Sequence, residues 1–341
     1  MTLNFRFVPR RHLSMSIDPA ALLAELSDRT AVSGSELAAR LGVTRAAVWK
    51  QIEALRALGA PIQARPGEGY RLDWAFEALD AERIRAAVAP RLRNRVGEIG
   101  VHWQIDSTSS ALLRAAAAGA ADGTVCLAET QTAGRGRRGR RWQSPLGGNI
   151  YFSLLRRFAH GMGALAGLSL VAGIATVEAL GDCGATELGL KWPNDVQVGG
   201  RKLAGILVEL GGEFLGPCHA VIGIGINLRL AEDLPIDQPS TDLARVCGTP
   251  LSRNRLVGCL LSRLVVALDA FAAQGFANFA DAYARYDLLA GRRLRIETPE
   301  GPREGVGAGV DARGALCVRH GTRVHRYDSA EVSVRDVEAA A

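Results

Sequence analysis

Two nearly continuous apolar runs constrain the fold of this chain more than any other feature. They lie at residues 202–209 (KLAGILVE) and 220–227 (AVIGIGIN). Runs that lack a polar alternation are typical of strands inside a sheet that helices cover on at least one face. Residues 163–180 supply such a cover, since they form a long apolar segment with helical character. The sequence therefore predicts a central part of the α/β or α+β class, starting at about residue 80.

Length and composition exclude several classes of protein. The chain has 341 residues, 48% of them hydrophobic, which is enough for two or three domains with cores of their own. Its six cysteines are scattered without a C-x-x-C pair, which argues against a zinc site or a disulfide scaffold and favours a cytoplasmic protein. The six histidines show no metal-binding spacing, so we assign no metal ligand. No apolar run reaches the roughly 18 residues of a membrane span, so no membrane partner is expected.

The first residues of the chain carry several arginines but no apolar segment of the kind found in signal peptides. We predict that residues 1–15 are disordered or an extension. Met15 opens a cleaner helical segment and is an alternative start of the protein.

Residues 16–75 carry the pattern of a winged helix-turn-helix domain. Three short helices are predicted up to residue 58, and Ser33 and Thr44 precede the second and third helices as capping residues. A hairpin at residues 61–72 then forms the wing. If the third helix lies in a major groove, the DNA-facing candidates are Thr44, Arg45, Lys50 and Arg65. The alternative is a protein-docking module, because three-helix domains serve that role as well.

An arginine-glycine segment at residues 134–141 (GRGRRGRR) follows the second predicted strand of the central part. Glycine lets the backbone approach a ligand closely, and each guanidinium offers a planar fork of donors for phosphate. The net charge of the chain is only +6, so this positive charge is local. No G-x-x-x-x-G-K-[ST] motif occurs, so a nucleotide would be bound by a device other than a P-loop. Taken alone, the segment fits an anion cradle or a nucleic-acid-binding patch.

Four motifs occur in order along the chain. They are GRGRRGR at 134–140, KWPND at 191–195, RKLAGILVE at 201–209 and GIGIN at 223–227. Together they resemble the biotin–protein ligase family. With the winged helix in front, the chain resembles the bacterial bifunctional biotin ligase and biotin-operon repressor, over residues 20–335.

The resemblance implies an α+β, multidomain fold. The winged helix-turn-helix domain would be followed by a mixed α/β biotin-ligase catalytic domain at residues 80–288, similar to class II aminoacyl-tRNA synthetases. Within it, residues 253–287 form a long amphipathic helical stretch. From residue 289 the pattern changes to short alternating strands, which fits an SH3-like β-barrel over residues 289–341.

The resemblance also implies an activity and its partners. The family joins biotin to ATP, with Mg²⁺ on the phosphates, and releases pyrophosphate. It then transfers the biotinyl group from biotinyl-5′-AMP to a lysine of the biotin carboxyl carrier protein of acetyl-CoA carboxylase. In its repressor branch the adenylate favours a homodimer that binds operator DNA. ATP, biotin and Mg²⁺ are therefore the expected ligands, and the carrier protein, operator DNA and a second copy of the chain are the expected partners.

The same resemblance assigns catalytic roles to Arg137 and Lys191. Two anions, the biotin carboxylate and the α-phosphate, must meet in the first step, so positive charge and positioning matter more than a nucleophilic side chain. Ser107, Thr108 and Ser109 would hydrogen-bond the ureido group of biotin, since hydroxyls suit a group that presents donors and acceptors. The family often has Asn at the position of Ser109.

The remaining ligand-binding residues that the resemblance implies surround these two groups. They are Gln131, Gly134, Arg135, Gly136, Arg138, Trp142, Gly212 and Asn227. Trp142 fits a flat surface against the ligand as well as a core tryptophan. Asp195 either organises the metal or caps the turn after Lys191.

Two other functions remain open. A lipoate or octanoate–protein ligase would share the fold and acylate a carrier lysine, although the arginine-glycine segment and the winged helix favour biotin. A non-enzymatic transcription factor would use the central part only to sense a small ligand, and it would release no pyrophosphate in a biotin-dependent manner.

Overall fold

The computed structural model describes residues 17–231, 234, 236, 238–249, 251–298 and 300–328, and the backbone of residues 333–336. The predicted extension at residues 1–15 and the alternative start at Met15 lie outside these residues. Within them, the predicted α+β multidomain class is confirmed, while the residue numbers that separate the domains stay predictions.

The N-terminal part is a winged helix-turn-helix. Ser33 and Thr44 cap the second and third helices as predicted: Ser33 Oγ accepts from the Glu36 N–H at 3.1 Å, and Thr44 Oγ1 accepts from the Ala47 N–H at 3.2 Å. The two strands pair antiparallel to form the wing. The elements are α1 (Pro19–Ala24), α2 (Gly34–Leu41), α3 (Arg45–Ala57), β1 (Ile62–Arg65) and β2 (Gly69–Leu72).

A seven-stranded mixed sheet forms the centre, with the strand order β3-β4-β5-β9-β8-β7-β6. Its first two strands pair in parallel and the other pairs are antiparallel. The two apolar runs lie side by side in β8 and β9, as the sequence predicts. The strands are β3 (Ile99–Ile105), β4 (Val125–Gln131), β5 (Asn149–Phe158), β6 (Leu188–Lys191), β7 (Asp195–Val198), β8 (Arg201–Gly212) and β9 (Cys218–Asn227).

Helices cover this sheet on both faces. The apolar helix predicted near residues 163–180 is observed as α6, and it packs against α8. The helices are α4 (Ala81–Ala87), α5 (Thr108–Ala117), α6 (Leu168–Asp182), α7 (Leu243–Cys247), α8 (Arg253–Gln274) and α9 (Ala280–Ala284).

The two faces of the sheet carry separate cores. Leu127 and Ile222 belong to the large core that includes α6 and α8, whereas Cys126 and Val221 pack with α5. This division follows from the strand period, because successive side chains point to opposite faces. Gly223 and Gly225, two and four residues after Val221, therefore lie on the face of the sheet that α5 covers, beside the start of that helix.

Helix α8 is shorter than the predicted stretch over residues 253–287, and that prediction is wrong in its extent. The helix ends at Gly275, whose φ of +68° favours glycine, and a short 3₁₀ turn and α9 follow. By length and composition alone α8 could cross a membrane. Its buried leucines, among them Leu260, Leu264 and Leu268, instead pack inside the protein, as in the core helix of a soluble protein.

The C-terminal part is an antiparallel sheet of short strands in the order β13-β12-β11-β10-β14. Its strands are β10 (Arg293–Thr298), β11 (Gly301–Val310), β12 (Leu316–His320), β13 (Arg323–Tyr327) and β14 (Ser333–Asp336). Leu294, Ile296, Leu316 and Val318 are fully buried and join the large central core. The sheet is therefore packed onto the central domain rather than carried on a free linker.

The N-terminal core includes the fully buried Leu146 of the central domain, and Trp103 of β3 packs against the same core. Leu146 is fully buried among the apolar residues of the winged helix, and its N–H donates to the Leu58 carbonyl at 2.9 Å. Leu58 follows α3 directly, and Leu146 lies in the segment between the arginine-glycine loop and β5. The two domains therefore share part of one core.

Candidate active site

A cleft lies over β8 and β9, between the start of α5, the arginine-glycine loop and the β6–β7 hairpin. Most of the predicted site residues line it: Ser107, Thr108, Ser109, Gln131, Arg135, Gly136, Arg137, Arg138, Trp142 and Lys191.

One end of the cleft is built from hydroxyls at the start of α5. Ser107 is the N-cap of this helix, so Thr108 and Ser109 follow in its first turn. Their hydroxyl oxygens lie 2.8 Å and 2.9 Å from Oγ of Ser153, which is fully buried on β5. Gln131 Oε1 accepts from the Thr108 N–H at 2.9 Å. The three hydroxyls and the amide form a connected polar cluster suited to a neutral group with donors and acceptors.

The arginine-glycine loop forms the second wall of the cleft. Arg138 has φ +57°, a left-handed conformation that costs a non-glycine residue energy and is concentrated at functional sites. Arg135 donates to Glu209 on β8 at 2.6 Å, which ties the loop to the sheet. Arg137 donates to Asn194 Oδ1 at 3.4 Å, in the hairpin on the opposite side. The loop is thus held over the cleft by contacts to β8 and to the β6–β7 hairpin.

The cleft is strongly positive. Seven basic side chains and one carboxylate are among its described lining residues, and the carboxylate is Asp195. Burial, and after it the charge of Arg138, lowers the pKa of Arg137. An anion bound between Arg137 and Arg138 would offset both the loss of solvation and the repulsion between the two charges. The charge distribution therefore favours an anionic ligand.

Trp142 lines the cleft against β8 and β9. A Cβ built on Gly225 would lie 2.4 Å from its indole ring and a Cβ on Gly205 3.0 Å from it, so only glycine leaves room for the ring at Gly225. Nζ of Lys202, a residue of β8, lies 5.4 Å from the centroid of the Trp142 ring. Among the described residues the buried Trp142 Nε1 has no hydrogen-bond acceptor. The ring is thus packed against the sheet and lines the cleft, and its contact with a ligand stays a prediction.

Lys191 ends β6 at the entrance to a tight hairpin. The Trp192–Pro193 peptide bond is cis, and Lys191 faces Asp195 in the strand pairing. Asn194 fixes the hairpin to β8, since its Nδ2 donates to the Ile206 carbonyl at 2.8 Å and its own carbonyl accepts from the Ile206 N–H at 2.9 Å. The hairpin therefore places Lys191 and Asn194 on the cleft wall opposite the arginine-glycine loop.

Three predicted residues do not line this cleft. Gly134 lies just behind it, where a Cβ would meet the Trp142 carbonyl at 2.6 Å. Gly212 is at the far end of β8, paired with Cys218. Asn227 is buried at the end of β9, where its Nδ2 donates to the Thr241 carbonyl at 3.1 Å. The structure therefore gives Gly134 and Asn227 supporting positions and brings Gly212 nowhere near the cleft.

Lys202 and Asn194 line the cleft without having been predicted as site residues, and Ser153 supports the cleft as a buried partner of Thr108 and Ser109. Lys202 Nζ pairs with Asp195 Oδ1 at 2.7 Å inside the cleft. Its place in the RKLAGILVE motif is the sequence feature that could have identified Lys202 as a site residue. Ser153 carried no signal, because a serine in an apolar strand reads as a buried residue without a ligand-side role.

The described lining residues of the cleft supply few ligands for a metal ion. In the part of the chain that the structure describes, no three His, Cys, Asp or Glu side chains are grouped to hold a metal ion. Asp195 is the one carboxylate among the described lining residues, and Lys202 already neutralises it.

The predicted DNA-facing residues lie on the winged helix, away from the cleft. Arg45 and Lys50 are exposed on α3, and Arg65 is exposed at the end of β1, where it pairs with Glu68 at 3.4 Å. Thr44 is engaged as the cap of α3. Arg45, Lys50 and Arg65 thus remain accessible, as a surface that contacts nucleic acid requires.

Comparison with known proteins agrees with both parts of this arrangement. The Biotin/lipoate A/B protein ligase family matches residues 101–227, and the HTH domain family matches residues 20–71. The biotin protein ligase from Aquifex aeolicus in complex with biotin and ATP has a TM-score of 0.61 at 28% identity, covering 70% of this chain and 99% of that one. The fold and the cleft thus define a biotin/lipoate ligase domain joined to a helix-turn-helix domain.

Full-length relatives narrow the assignment. The bifunctional ligase/repressor BirA of Salmonella typhimurium is 38% identical over 94% of this chain and 98% of its own length. The BirA of Escherichia coli is 36% identical over the same shares. The chain belongs to the BirA family of bifunctional ligase/repressors.

Proposed function

We propose that this protein activates biotin with ATP and transfers it to a lysine of the biotin carboxyl carrier protein of acetyl-CoA carboxylase. In the first step a biotin carboxylate oxygen attacks the α-phosphorus of ATP and pyrophosphate leaves. In the second, the carrier amine attacks the acyl carbon, AMP leaves and the amine loses a proton. The observation that carries the proposal is a single cleft that joins a neutral hydroxyl cluster to seven basic side chains. A relative from Mycobacterium tuberculosis, 36% identical over 72% of this chain, is named a biotin--[acetyl-CoA-carboxylase] ligase.

The two ends of the cleft would divide the ligand between them. Thr108 and Ser109 would face the ureido group, which presents donors and an acceptor to hydroxyls. Arg137 and Lys191, from opposite walls, would hold the carboxylate and α-phosphate together while negative charge develops. The unpaired Trp142 Nε1 offers one further donor on the floor between them. Mg²⁺ would enter as part of the substrate, on the ATP phosphates, since the described lining residues leave it no free carboxylate.

The proposed activity can be separated from its alternatives by substrate choice. The purified chain is incubated with MgATP and either biotin, lipoate or octanoate, and pyrophosphate release and carrier labelling are measured. We expect release and labelling with biotin alone. Labelling only with lipoate or octanoate would establish the related ligase activity, and binding of biotin without pyrophosphate release would establish a ligand sensor.

Replacing Arg137 by Gly should weaken retention of biotinyl-5′-AMP. Each charge-assisted hydrogen bond that is lost corresponds to roughly 1.5–3 kcal/mol, or about ten- to a hundredfold in affinity. The released adenylate should then biotinylate bystander lysines, which is measured with a mixture of unrelated proteins. Arg201→Gly, an exposed β8 residue outside the cleft, is the control. Unchanged retention of the adenylate in Arg137→Gly would remove this role.

We also propose that the protein acts in the cytoplasm as a homodimer that binds operator DNA when loaded with the adenylate. A ligand that binds one conformation better shifts the population towards that conformation. Adenylate binding in the cleft would therefore favour dimerisation if the adenylate binds the dimer-forming conformation better. The exposed basic residues of α3 and the wing support the DNA contact. The shared core at Leu146 supports transmission from the cleft domain to the winged helix.

The double substitution Arg45→Ala, Lys50→Ala should weaken DNA binding and flatten its salt dependence. Each phosphate contact that is lost removes close to 0.9 from the slope of log K against log[salt]. Fluorescence anisotropy with DNA from upstream of biotin-synthesis genes, at several salt concentrations, measures both. Arg56→Ala is the matched control, because Arg56 is exposed on the same helix but pairs with Glu53. An equal loss in the control and the double variant would argue against a specific DNA face.

A further inference from the structure

Residues 286–288 and the C-terminal sheet together hold the backbone on both sides of Lys191. Before it, the Leu190 N–H donates to the Tyr286 carbonyl at 2.7 Å, and the Leu190 carbonyl accepts from the Leu288 N–H at 3.0 Å. After it, Trp192 Nε1 donates to the Gly314 carbonyl at 3.0 Å. Leu190 and Trp192 are 3% and 2% exposed, so these bonds are shielded from water.

The second contact comes from a tight turn in the C-terminal sheet. Residues 311–315 connect β11 to β12, and Asp311 Oδ1 accepts from the N–H groups of Arg313 at 2.9 Å and Ala315 at 3.0 Å. The turn presents the Gly314 carbonyl to the Trp192 indole. Gly314 has φ +83°, and a Cβ there would lie 2.9 Å from Gly167 Cα, so the turn touches the backbone that begins α6.

The same place is fixed from the central domain. Ser169, in the first turn of α6, donates its hydroxyl to the Pro193 carbonyl at 3.0 Å. Trp192 and Pro193 are therefore bonded to two neighbouring elements, one of which belongs to the C-terminal sheet. Since Lys191 precedes them directly, a shift of the 311–315 turn would move the lysine in the cleft.

We propose that the 311–315 turn is a positioning element for Lys191, acting through the Trp192 indole and the Gly314 carbonyl. This inference rests on the proposed adenylation, because it assigns the C-terminal sheet to the step in which Lys191 meets the α-phosphate. A displacement of about 1 Å at such a group lowers a rate by roughly a hundredfold. The biotin end of the cleft lies on α5 and β5 and does not share these contacts.

Two glycines of the C-terminal sheet provide a matched test. Gly314→Ala forces a Cβ against Gly167, whereas Gly321→Ala places one in the β12–β13 turn, where no atom of the described residues lies within 4 Å. Both positions have a left-handed φ, so both variants carry similar backbone strain. Trp192→Phe is a third variant, which removes the indole donor and leaves the turn intact.

The full-length variants are compared in biotin-dependent pyrophosphate release and in biotin binding by calorimetry. We expect Gly314→Ala and Trp192→Phe to lower kcat/KM for ATP at least about tenfold, with the biotin dissociation constant changed less than about twofold. Gly321→Ala should stay within about twofold in both. In a Lys191→Met background, Gly314→Ala should cause no further loss, because the lysine it positions is gone.

The proposal would be overturned if kcat/KM for ATP fell equally in Gly314→Ala and Gly321→Ala. It would also be overturned if Gly314→Ala lowered kcat/KM by the same factor in the Lys191→Met background as in the unsubstituted protein. Hydrogen exchange of the peptide that covers residues 186–195 supplies a readout independent of activity. Its protection should fall in Gly314→Ala and Trp192→Phe and stay unchanged in Gly321→Ala. If the unsubstituted chain releases no pyrophosphate, the adenylation proposal fails, while unchanged protection in all three variants refutes the bracing contact itself.

Discussion

Replacing Lys191 by Met should lower the rate of biotin adenylation about a hundred- to a thousandfold. Lys191 ends β6 on the cleft wall opposite the arginine-glycine loop, where the biotin carboxylate and the α-phosphate would meet. A preorganised cation that acts on charge developing in the transition state contributes of that order when it is removed. Single-turnover formation of biotinyl-5′-AMP from enzyme-bound biotin measures the chemical step directly.

Biotin binding should respond much less to the same substitution, because the hydroxyl cluster at the start of α5 is left intact. Arg201→Met is a suitable control, since Arg201 is an exposed cation on the neighbouring hairpin and lies outside the cleft. If Lys191→Met lost biotin affinity in proportion to rate, Lys191 would serve ground-state binding instead of the transition state.

Replacing Arg253 by Met should lower the free energy of unfolding by roughly 3–5 kcal/mol, the usual consequence of removing one partner of a buried ion pair. Arg253 begins α8 and contacts Glu129 Oε2 at 2.6 Å, with both side chains less than 5% exposed. It also donates to the Glu77 carbonyl at 2.8 Å and the Asn149 carbonyl at 2.9 Å. The substitution leaves a buried carboxylate uncompensated and removes one of the hydrogen bonds that hold the segment before α4.

Urea-induced unfolding followed by circular dichroism measures this change. Arg255→Met, two residues along the same helix but exposed, should stay within about 0.5 kcal/mol of the unsubstituted protein. The double variant Arg253→Met, Glu129→Gln should recover part of the loss, since no charge then remains buried without a partner. A double variant less stable than Arg253→Met would show that the amide and carbonyl contacts, rather than the charge, dominate.

Much of the fold followed from local patterns. Ser33 and Thr44 cap their helices as the sequence predicts, and the apolar runs at 202–209 and 220–227 pair as neighbouring strands. Each of these features is decided within a few residues, by cap chemistry or by strand hydrophobicity. Grouping Ser109, Arg137 and Lys191 into one site depended instead on the resemblance, because no local pattern places three separate segments together.

Contacts between distant segments could not be predicted in this way. The Arg253–Glu129 pair joins residues 124 positions apart, and the Trp192–Gly314 bond spans 122. The expected extent of α8 was wrong because an amphipathic pattern continues past Gly275, although the backbone there leaves the helix. Gly212 was assigned to the site by similarity alone, and the strand pairing carries it to the far end of β8.

The position of Leu146 has a consequence for dissecting this protein into parts. The winged helix does not contain all of its own hydrophobic core, since Leu146 is contributed by the central domain and is fully buried. A fragment that stops near residue 75 would expose the apolar surface near Leu58 that Leu146 covers. A fragment that begins near residue 80 would expose Leu146 to water. A fusion of the winged helix to another ligand-binding domain would therefore have to include residues 142–148 as well, because Leu146 completes the core of the winged helix.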